Sequence, residues 1–362
     1  MTDIDVELVN ITKKFGELVA VDDVSIQVTR GSFFSILGPS GCGKTTTLKM
    51  ISGFEEPDNG DVFIGGERVN GVPPNHRRVN MVFQQLALFP LMTVSANVGF
   101  GLKMSGVPKA DRQARVEEML EKVDLPGLGD RKPDQLSGGQ QQRVAIARCL
   151  ILDPTVLLLD EPLGALDLKL RDQMKIQLKR LQHEVGTTFI YITHDQSEAL
   201  VMSDEVAVMN EGHLLQIGAP DELYSNPADY FVASFVGESN AFEGPITHLE
   251  NGHAVLSADP FDFKSPTHPD IRVGENCRLF IRPERIRLMS SDAGSDPLYD
   301  NQFPGEIQDV VFDGAVARAF VDLGHNTVIT VLVTRTSDTP LPVEGEAVLV
   351  GWNALDALCF PE

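Results

Sequence analysis

The sequence predicts an α/β body followed by an all-β region, on three observations. Short apolar runs alternate with helical stripes through roughly the first two thirds of the chain. A glycine-rich loop, Gly38 to Thr45, ends one of those runs and opens a helical stretch. Beyond residue 238 the texture changes to short alternating runs punctuated by Gly, Pro, Asp and Asn. A length of 362 residues suits two domains, expected here as residues 1–238 and 239–362.

In chain order, Ser32 to Leu37 is an apolar run bounded by Gly31 and Gly38 and followed by the helix-forming Lys44 to Ile51. That is strand, loop, helix. Val156 to Leu159 and Thr187 to Thr193 are continuous apolar or β-branched runs, as expected of strands covered on both faces of a parallel sheet. Val116, Met119, Leu120 and Val123 form one helical stripe. Leu170, Met174, Leu178 and Leu181 form another, which ends at Gly186 as a C′ glycine. Residues 90–150, rich in such pattern, read as a helical subdomain. Glu205 to Gly218 reads as a hairpin turning at Glu211-Gly212, and Asp221 to Phe235 as helical.

In the second region His253 to Ala258, Cys277 to Arg282, Gly305 to Phe312, Ala315 to Leu323, Thr327 to Thr334 and Ala347 to Trp352 read as strands of a small barrel or barrel pair. Ser290 to Pro304 reads as a loop.

The chain carries 30 basic and 52 acidic side chains, a formal charge of −22, and half of it (−11) lies in residues 241–362. Such a field repels nucleic acid and anionic headgroups, so no nucleic-acid partner is expected. The four cysteines lie far apart with no CxxC pair, which indicates neither a disulfide framework nor a zinc site and fits a reducing cytoplasm. The N-terminus lacks the basic flank and apolar core of a signal peptide, and no apolar stretch approaches the roughly 20 residues that span a bilayer. Any transport path therefore has to come from other chains.

Gly38-Pro39-Ser40-Gly41-Cys42-Gly43-Lys44-Thr45, followed by Thr46, matches the phosphate-binding pattern GxxxxGK[ST]. Glycines let backbone N–H groups converge on phosphate oxygens, the helix that follows points its positive end at them, and Lys44 adds a full charge. Thr45 offers a hydroxyl to Mg²⁺. Cys42 fills a free position of the pattern, with a redox switch as the competing reading. Asp160 and Glu161 follow the strand Val156 to Leu159, at the carboxyl edge where parallel sheets hold ligands.

Between these two elements stands Leu136-Ser137-Gly138-Gly139-Gln140, a string that average residue usage produces by accident in fewer than about one chain in a thousand of this length. It precedes the helical Gln141 to Ile151, so Ser137 and two glycines crown a helix N-terminus, a second anion site. A plain helix cap would account for Ser137 alone. With the phosphate loop before it and Asp160-Glu161 after it, the chain resembles the nucleotide-binding subunit of an ATP-binding-cassette (ABC) transporter.

That resemblance implies a P-loop ATPase fold, a cassette with a mostly parallel sheet and a helical subdomain, with ATP and Mg²⁺ bound. It implies that Asp160 holds Mg²⁺ while Glu161 orients and deprotonates the attacking water. His194 matches the switch histidine that contacts the γ-phosphate, and Gln84 the loop glutamine linking Mg²⁺ and water to the transmembrane subunits. Phe15 matches the aromatic that stacks on adenine, with core packing as the alternative. Ser137, Gly138, Gly139 and Gln140 would bind the γ-phosphate held by the facing subunit, so two copies form a homodimer around two nucleotides. Gly164 in Leu163 to Asp167 stands where many members carry Ser, a departure in the loop that crosses the dimer.

The apolar, Pro-bearing stretch Leu86 to Val94 matches the cleft in which a permease helix docks; a buried strand would explain part of it. Ile281-Arg282-Pro283-Glu284 within the β-rich region resembles the OB-like extension of importer ATPases for polyamines, sugars and ferric iron. Leu136 to Arg148, Gly164 to Met174 and Phe235 to Gly244 are most similar to the spermidine/putrescine group. The implied partners are two integral-membrane permeases at the cytoplasmic face of the membrane and, indirectly, an extracytoplasmic binding protein. Sugar or iron import is the alternative cargo. A non-transport ABC protein would bring basic patches, a second cassette or a long coiled coil, none of which the sequence carries; a degraded regulatory cassette is opposed by intact Lys44, Asp160, Glu161 and His194.

Overall fold

The computed structural model describes residues 3–250, 252–267, 270–291, 296–335 and 341–361, and the chain divides into two compact units, Met1–Ser225 and Asn226–Glu362. Asn226-Pro227 interrupts the stretch expected to be one helix, because the residue before a proline is driven out of the α region. The compact units meet at that break, 13 residues before the expected boundary at 238.

The first unit runs β1 (Ile4–Phe15), β2 (Leu18–Thr29), β3 (Phe33–Leu37), α1 (Lys44–Ser52), β4 (Asn59–Ile64), β5 (Glu67–Arg68) and β6 (Val79–Val82). It continues with α2 (Val94–Val98), α3 (Phe100–Met104), α4 (Lys109–Lys122), α5 (Gly138–Leu150), β7 (Val156–Asp160), α6 (Leu168–Val185), β8 (Thr188–Thr193), α7 (Gln196–Met202), β9 (Glu205–Asn210), β10 (His213–Gly218) and α8 (Pro220–Ser225). Gly186 ends α6 with φ 66°, and Glu211 (φ 46°) and Gly212 (φ 84°) turn the hairpin.

Six strands form the central sheet in the order β10-β9-β3-β8-β7-β6, parallel except for β10. Side-chain alternation splits each central strand between two apolar layers. Phe33, Leu157, Leu159, Phe189 and Tyr191 face the layer built with α2, α4, α5 and α6. Phe34, Ile36, Val156, Leu158, Ile190 and Ile192 face the layer built with α1 and a second sheet. That second sheet, antiparallel in the order β2-β1-β4-β5, was not among the expected elements. Register shifts along β1 at Leu8/Ile11 and Ile11/Lys13 break its period of two, so its buried residues do not alternate in sequence.

The second unit contains α9 (Tyr230–Phe235), β11 (Asn240–Glu250), β12 (His253–Ala258), β13 (Phe261–Pro266), β14 (Asn276–Ile281), β15 (Arg287–Ser290), β16 (Asn301–Asp313), β17 (Val316–Asp322), β18 (Val328–Thr334), β19 (Ala347–Trp352) and β20 (Ala357–Pro361). Two antiparallel sheets, β13-β12-β11-β14-β20 and β15-β19-β16-β17-β18, enclose one core that includes Phe263, Leu279, Ile281, Val350 and Trp352. Buried Asn240 ties the sheets together. Its amide accepts from Thr330 N at 2.6 Å and donates to Thr330 O at 2.9 Å. The loop expected over Ser290 to Pro304 is partly wrong: Asn301 to Pro304 open β16, while residues 292–295 lie outside the described set. Pro304 is tolerated because that end of β16 pairs with β19 alone, β17 joining from Glu306 onward.

Candidate nucleotide site

Leu37 ends β3 and Lys44 begins α1, so Gly38 to Gly43 must turn within a few ångströms of other backbone. A Cβ at Gly38 would lie 2.2 Å from Met209 O, and one at Gly43, where φ is 103°, would lie 2.4 Å from Ala20 O. Glycine is required at both positions on steric grounds. No side chain caps the start of α1, which leaves its first-turn N–H groups facing the loop. Lys44 is buried, and its ammonium donates to Gly38 O (2.7 Å) and Pro39 O (2.9 Å), placing a cation inside the loop. Burial pushes the Cys42 thiol upward against the pull of Lys44, which disfavours a thiolate there.

Thr45 Oγ1 donates to Asp160 Oδ1 at 3.3 Å, joining the first turn of α1 to the end of β7. Burial, together with neighbouring Glu161, raises the Asp160 carboxyl above its ordinary value despite hydrogen bonding from Thr45 and the charges of Lys49 and Lys44. A hydroxyl and an under-compensated carboxylate held together are hard oxygen donors that fit a magnesium ion.

Glu161 follows in the left-handed region (φ 43°), unusual for a residue with a Cβ, and its N–H donates to Ile192 O at 3.1 Å. This kink re-aims the side chain: Oε1 comes to 3.2 Å from His194 Nδ1, one residue beyond β8. Phe15, Ser40, Gly41, Lys44, Thr45 and Glu161 are among the residues lining one cleft of about 320 Å³. Phe15 is 46% exposed, so its ring is not enclosed in the core. Gln84, two residues past β6, is exposed and hydrogen-bonded to neither Thr45 nor Asp160.

The signature string lies outside that cleft. Ser137 Oγ accepts from Gln140 N at 3.4 Å and Gln140 Oε1 accepts from Ser137 N at 3.0 Å, a reciprocal cap on α5. Ser137 and Gly138 remain exposed, while Gly139 is buried so close to Leu170 that a Cβ would meet it at 3.2 Å.

Sequence reasoning missed the mount of His194. Glu198, buried, accepts from Tyr191 Oη at 2.7 Å and Thr193 Oγ1 at 2.6 Å, fixing β8 up to its last residue. Asp195 caps α7 through Ser197 N and Glu198 N. Burial pushes the Asp195 carboxyl up, but hydrogen bonds from Ser197 and Glu198 with the nearby Lys175 charge hold it below its ordinary value. The spacing Asp195-x-x-Glu198 has the form of a helix start and could have signalled this. Lys13 was also missed: its ammonium sits 5.3 Å from the Phe15 ring centroid and donates to Glu56 O at 2.8 Å.

A phosphate loop whose helix sets a hydroxyl against an acid at a strand end, beside a carboxylate–histidine pair at the ends of two adjacent parallel strands and with a glycine-crowned helix elsewhere on the same body, defines a cassette-type nucleotide hydrolase. Residues 21–164 match the ABC transporter family and residues 279–360 the TOBE domain. The spermidine/putrescine import ATP-binding protein of Rubrobacter xylanophilus is 48% identical over 98% of this chain and 93% of its own length. That of Thermobifida fusca is 46% identical, covering 99% and 93%. Among solved structures, a dimeric ATP-binding cassette in a post-hydrolysis state with ADP and Pi aligns at 35% identity and a TM-score of 0.53, over 59% of this chain and 98% of that one. The chain belongs to the family of ABC transporter ATP-binding subunits that these spermidine/putrescine import proteins represent.

Proposed function

We propose that this chain is the ATP-hydrolysing subunit of a polyamine importer, working as a homodimer docked on two membrane permeases. The observation that carries the reading is the Glu161–His194 pair at 3.2 Å beside the Thr45–Asp160 pair, at the ends of neighbouring strands β7 and β8. Lys44 and the loop N–H groups bind the β- and γ-phosphates, and Phe15 stacks on adenine. Glu161 orients a water molecule and takes its proton as the water attacks phosphorus, and His194 contacts the γ-phosphate. Thr45 and Asp160 are the residues that would hold Mg²⁺, with Gln84 approaching from its loop. When bound, the metal neutralises phosphate charge.

The position of Ser137 outside the cleft supports a site completed by a second copy, whose α5 N-terminus faces the γ-phosphate. Among the described residues no helix is long and apolar enough to cross a membrane, which fits a peripheral subunit at the cytoplasmic face whose Leu86 to Val94 segment receives the permeases. Leu91, 86% exposed, stands at the centre of that segment. An extracytoplasmic binding protein delivers the cargo. Identity near one half along almost the whole length supports polyamine over sugar or ferric iron as that cargo.

Co-expression with its permeases and binding protein, followed by uptake of labelled spermidine into vesicles, tests the proposal. ATP-dependent uptake that Lys44→Ala abolishes is the expected result. Uptake of a sugar or ferric iron in place of spermidine would reassign the cargo, and absence of ATP hydrolysis would end the proposal.

A further inference from the structure

The segment Leu86 to Thr93 has an unusual backbone. Leu86 (φ 58°) and Ala87 (φ 47°) are successive non-glycine residues in the left-handed region, where Cβ crowds the following carbonyl. Arg148, in the last turn of α5, donates from Nη2 to Leu86 O at 2.9 Å and from Nη1 to Ala87 O at 2.7 Å. Its guanidinium also lies 5.6 Å from the centroid of the Phe89 ring, which packs on Phe100 at 4.7 Å. Buried Asn97 holds the rest of the segment, accepting from Phe89 N at 2.8 Å and donating to Phe89 O at 3.1 Å and Thr93 O at 3.0 Å. The same end of α5 is tied to β6, since Asn80 Nδ2 donates to Cys149 O at 2.7 Å.

One rigid element therefore carries Ser137 at one end and grips the apolar segment at the other, its 13 residues spanning about 20 Å. We infer that Arg148 is the positioning residue that couples the signature helix to the permease-docking segment, holding the 86–87 backbone in its disfavoured conformation so that Phe89 and Leu91 move as one body with α5. The inference rests on the proposed function and adds to it a specific transmitting contact. A planar fork bonds two successive carbonyls in fixed geometry while its face lies against a ring; a freely rotating ammonium lacks that pre-set orientation.

The test is ATPase activity of the purified chain alone and of its complex with the permeases, for wild type, Arg148→Ala, Arg148→Lys and the double variant Arg148→Ala/Ala87→Gly. The wild type is scored first: failure of permeases to stimulate it overturns the function, not this inference. Arg148→Ala alone should hydrolyse ATP within about twofold of wild type, as expected of a residue outside the catalytic cleft. Its permease-stimulated rate should fall about tenfold or more, the scale of losing charge-assisted bonds. Ala87→Gly, which removes the crowding Cβ, should restore much of the stimulation, whereas a residue of merely structural importance would not be rescued this way. Should Arg148→Ala fail to fold, Arg148→Lys with and without Ala87→Gly makes the same comparison. Full stimulation in the arginine variants, or a loss that Ala87→Gly leaves unchanged, would overturn the inference.

Discussion

His194 Nδ1 lies 3.2 Å from Glu161 Oε1, a contact that joins the ends of two neighbouring parallel strands through side chains 33 positions apart in sequence. Each partner is held independently. Glu161 is turned by its own left-handed backbone and bonded through its N–H to Ile192 O, while His194 stands between Thr193 and Asp195, both anchored by hydrogen bonds. Such fixation would orient the proposed base and its partner before substrate arrives, and strained positions of this kind concentrate at catalytic sites.

Replacing Glu161 with Gln keeps the shape and removes the proposed base. ATP binding, followed with a fluorescent nucleotide, should be retained while turnover falls about 10²- to 10⁴-fold, the usual worth of base assistance. Turnover at the wild-type rate would take Glu161 out of the mechanism.

Lys44→Ala removes the one ammonium that the loop encloses. ATP affinity measured by calorimetry should drop about 10- to 100-fold, corresponding to the ~1.5–3 kcal/mol of a charged hydrogen bond. Unaltered affinity would mean the loop's N–H groups suffice.

Asp160 gives a prediction of opposite sign for stability and function. Its carboxyl is raised by burial, so the fold disfavours the ionised form; its contribution to stability is present below the unfolded value and is lost as pH rises through the folded one. Asp160→Asn should therefore melt higher than wild type at neutral pH without nucleotide, with the gap closing toward acid pH, and should lose magnesium-dependent hydrolysis. Thermal denaturation across pH checks this, and a lower melting point at neutral pH would contradict it.

Phe15 stands 46% exposed at the cleft mouth with Lys13 poised over its ring. Phe15→Ala should weaken ATP binding about 5- to 100-fold, on the scale of ~1–3 kcal/mol for base–aromatic stacking, and Phe15→Tyr should not. Equal loss in both variants would point to packing instead.

What the sequence made legible is what physical chemistry writes locally. Gly38 and Gly43 are glycines because backbone lies within 2.4 Å of where a Cβ would be, and the apolar runs of β3, β7 and β8 are continuous because both faces are covered. Gly186 and the Glu211-Gly212 turn were legible for the same reason, each demanding a positive φ. β1 was hidden by its bulges, and the start of β16 by Pro304, a residue that reads as loop unless the missing strand neighbour is known. The guanidinium of Arg148 acts on groups that only the fold brings near, as with Leu86 O, 62 positions away. Ser137 was legible as a helix cap, but its exposure and its separation from the cleft of Lys44 required the structure.

In the proposed dimer a complete catalytic site takes the phosphate loop of one copy and Ser137 to Gln140 of another. Specific ATPase activity measured against protein concentration reads this dependence out. The rate per chain should rise with concentration, fall toward zero on dilution, and be lost at every concentration when Ser137 is replaced by Arg. A rate per chain that stays constant down to a strict monomer, with Ser137→Arg still active, would mean that one copy holds a complete site.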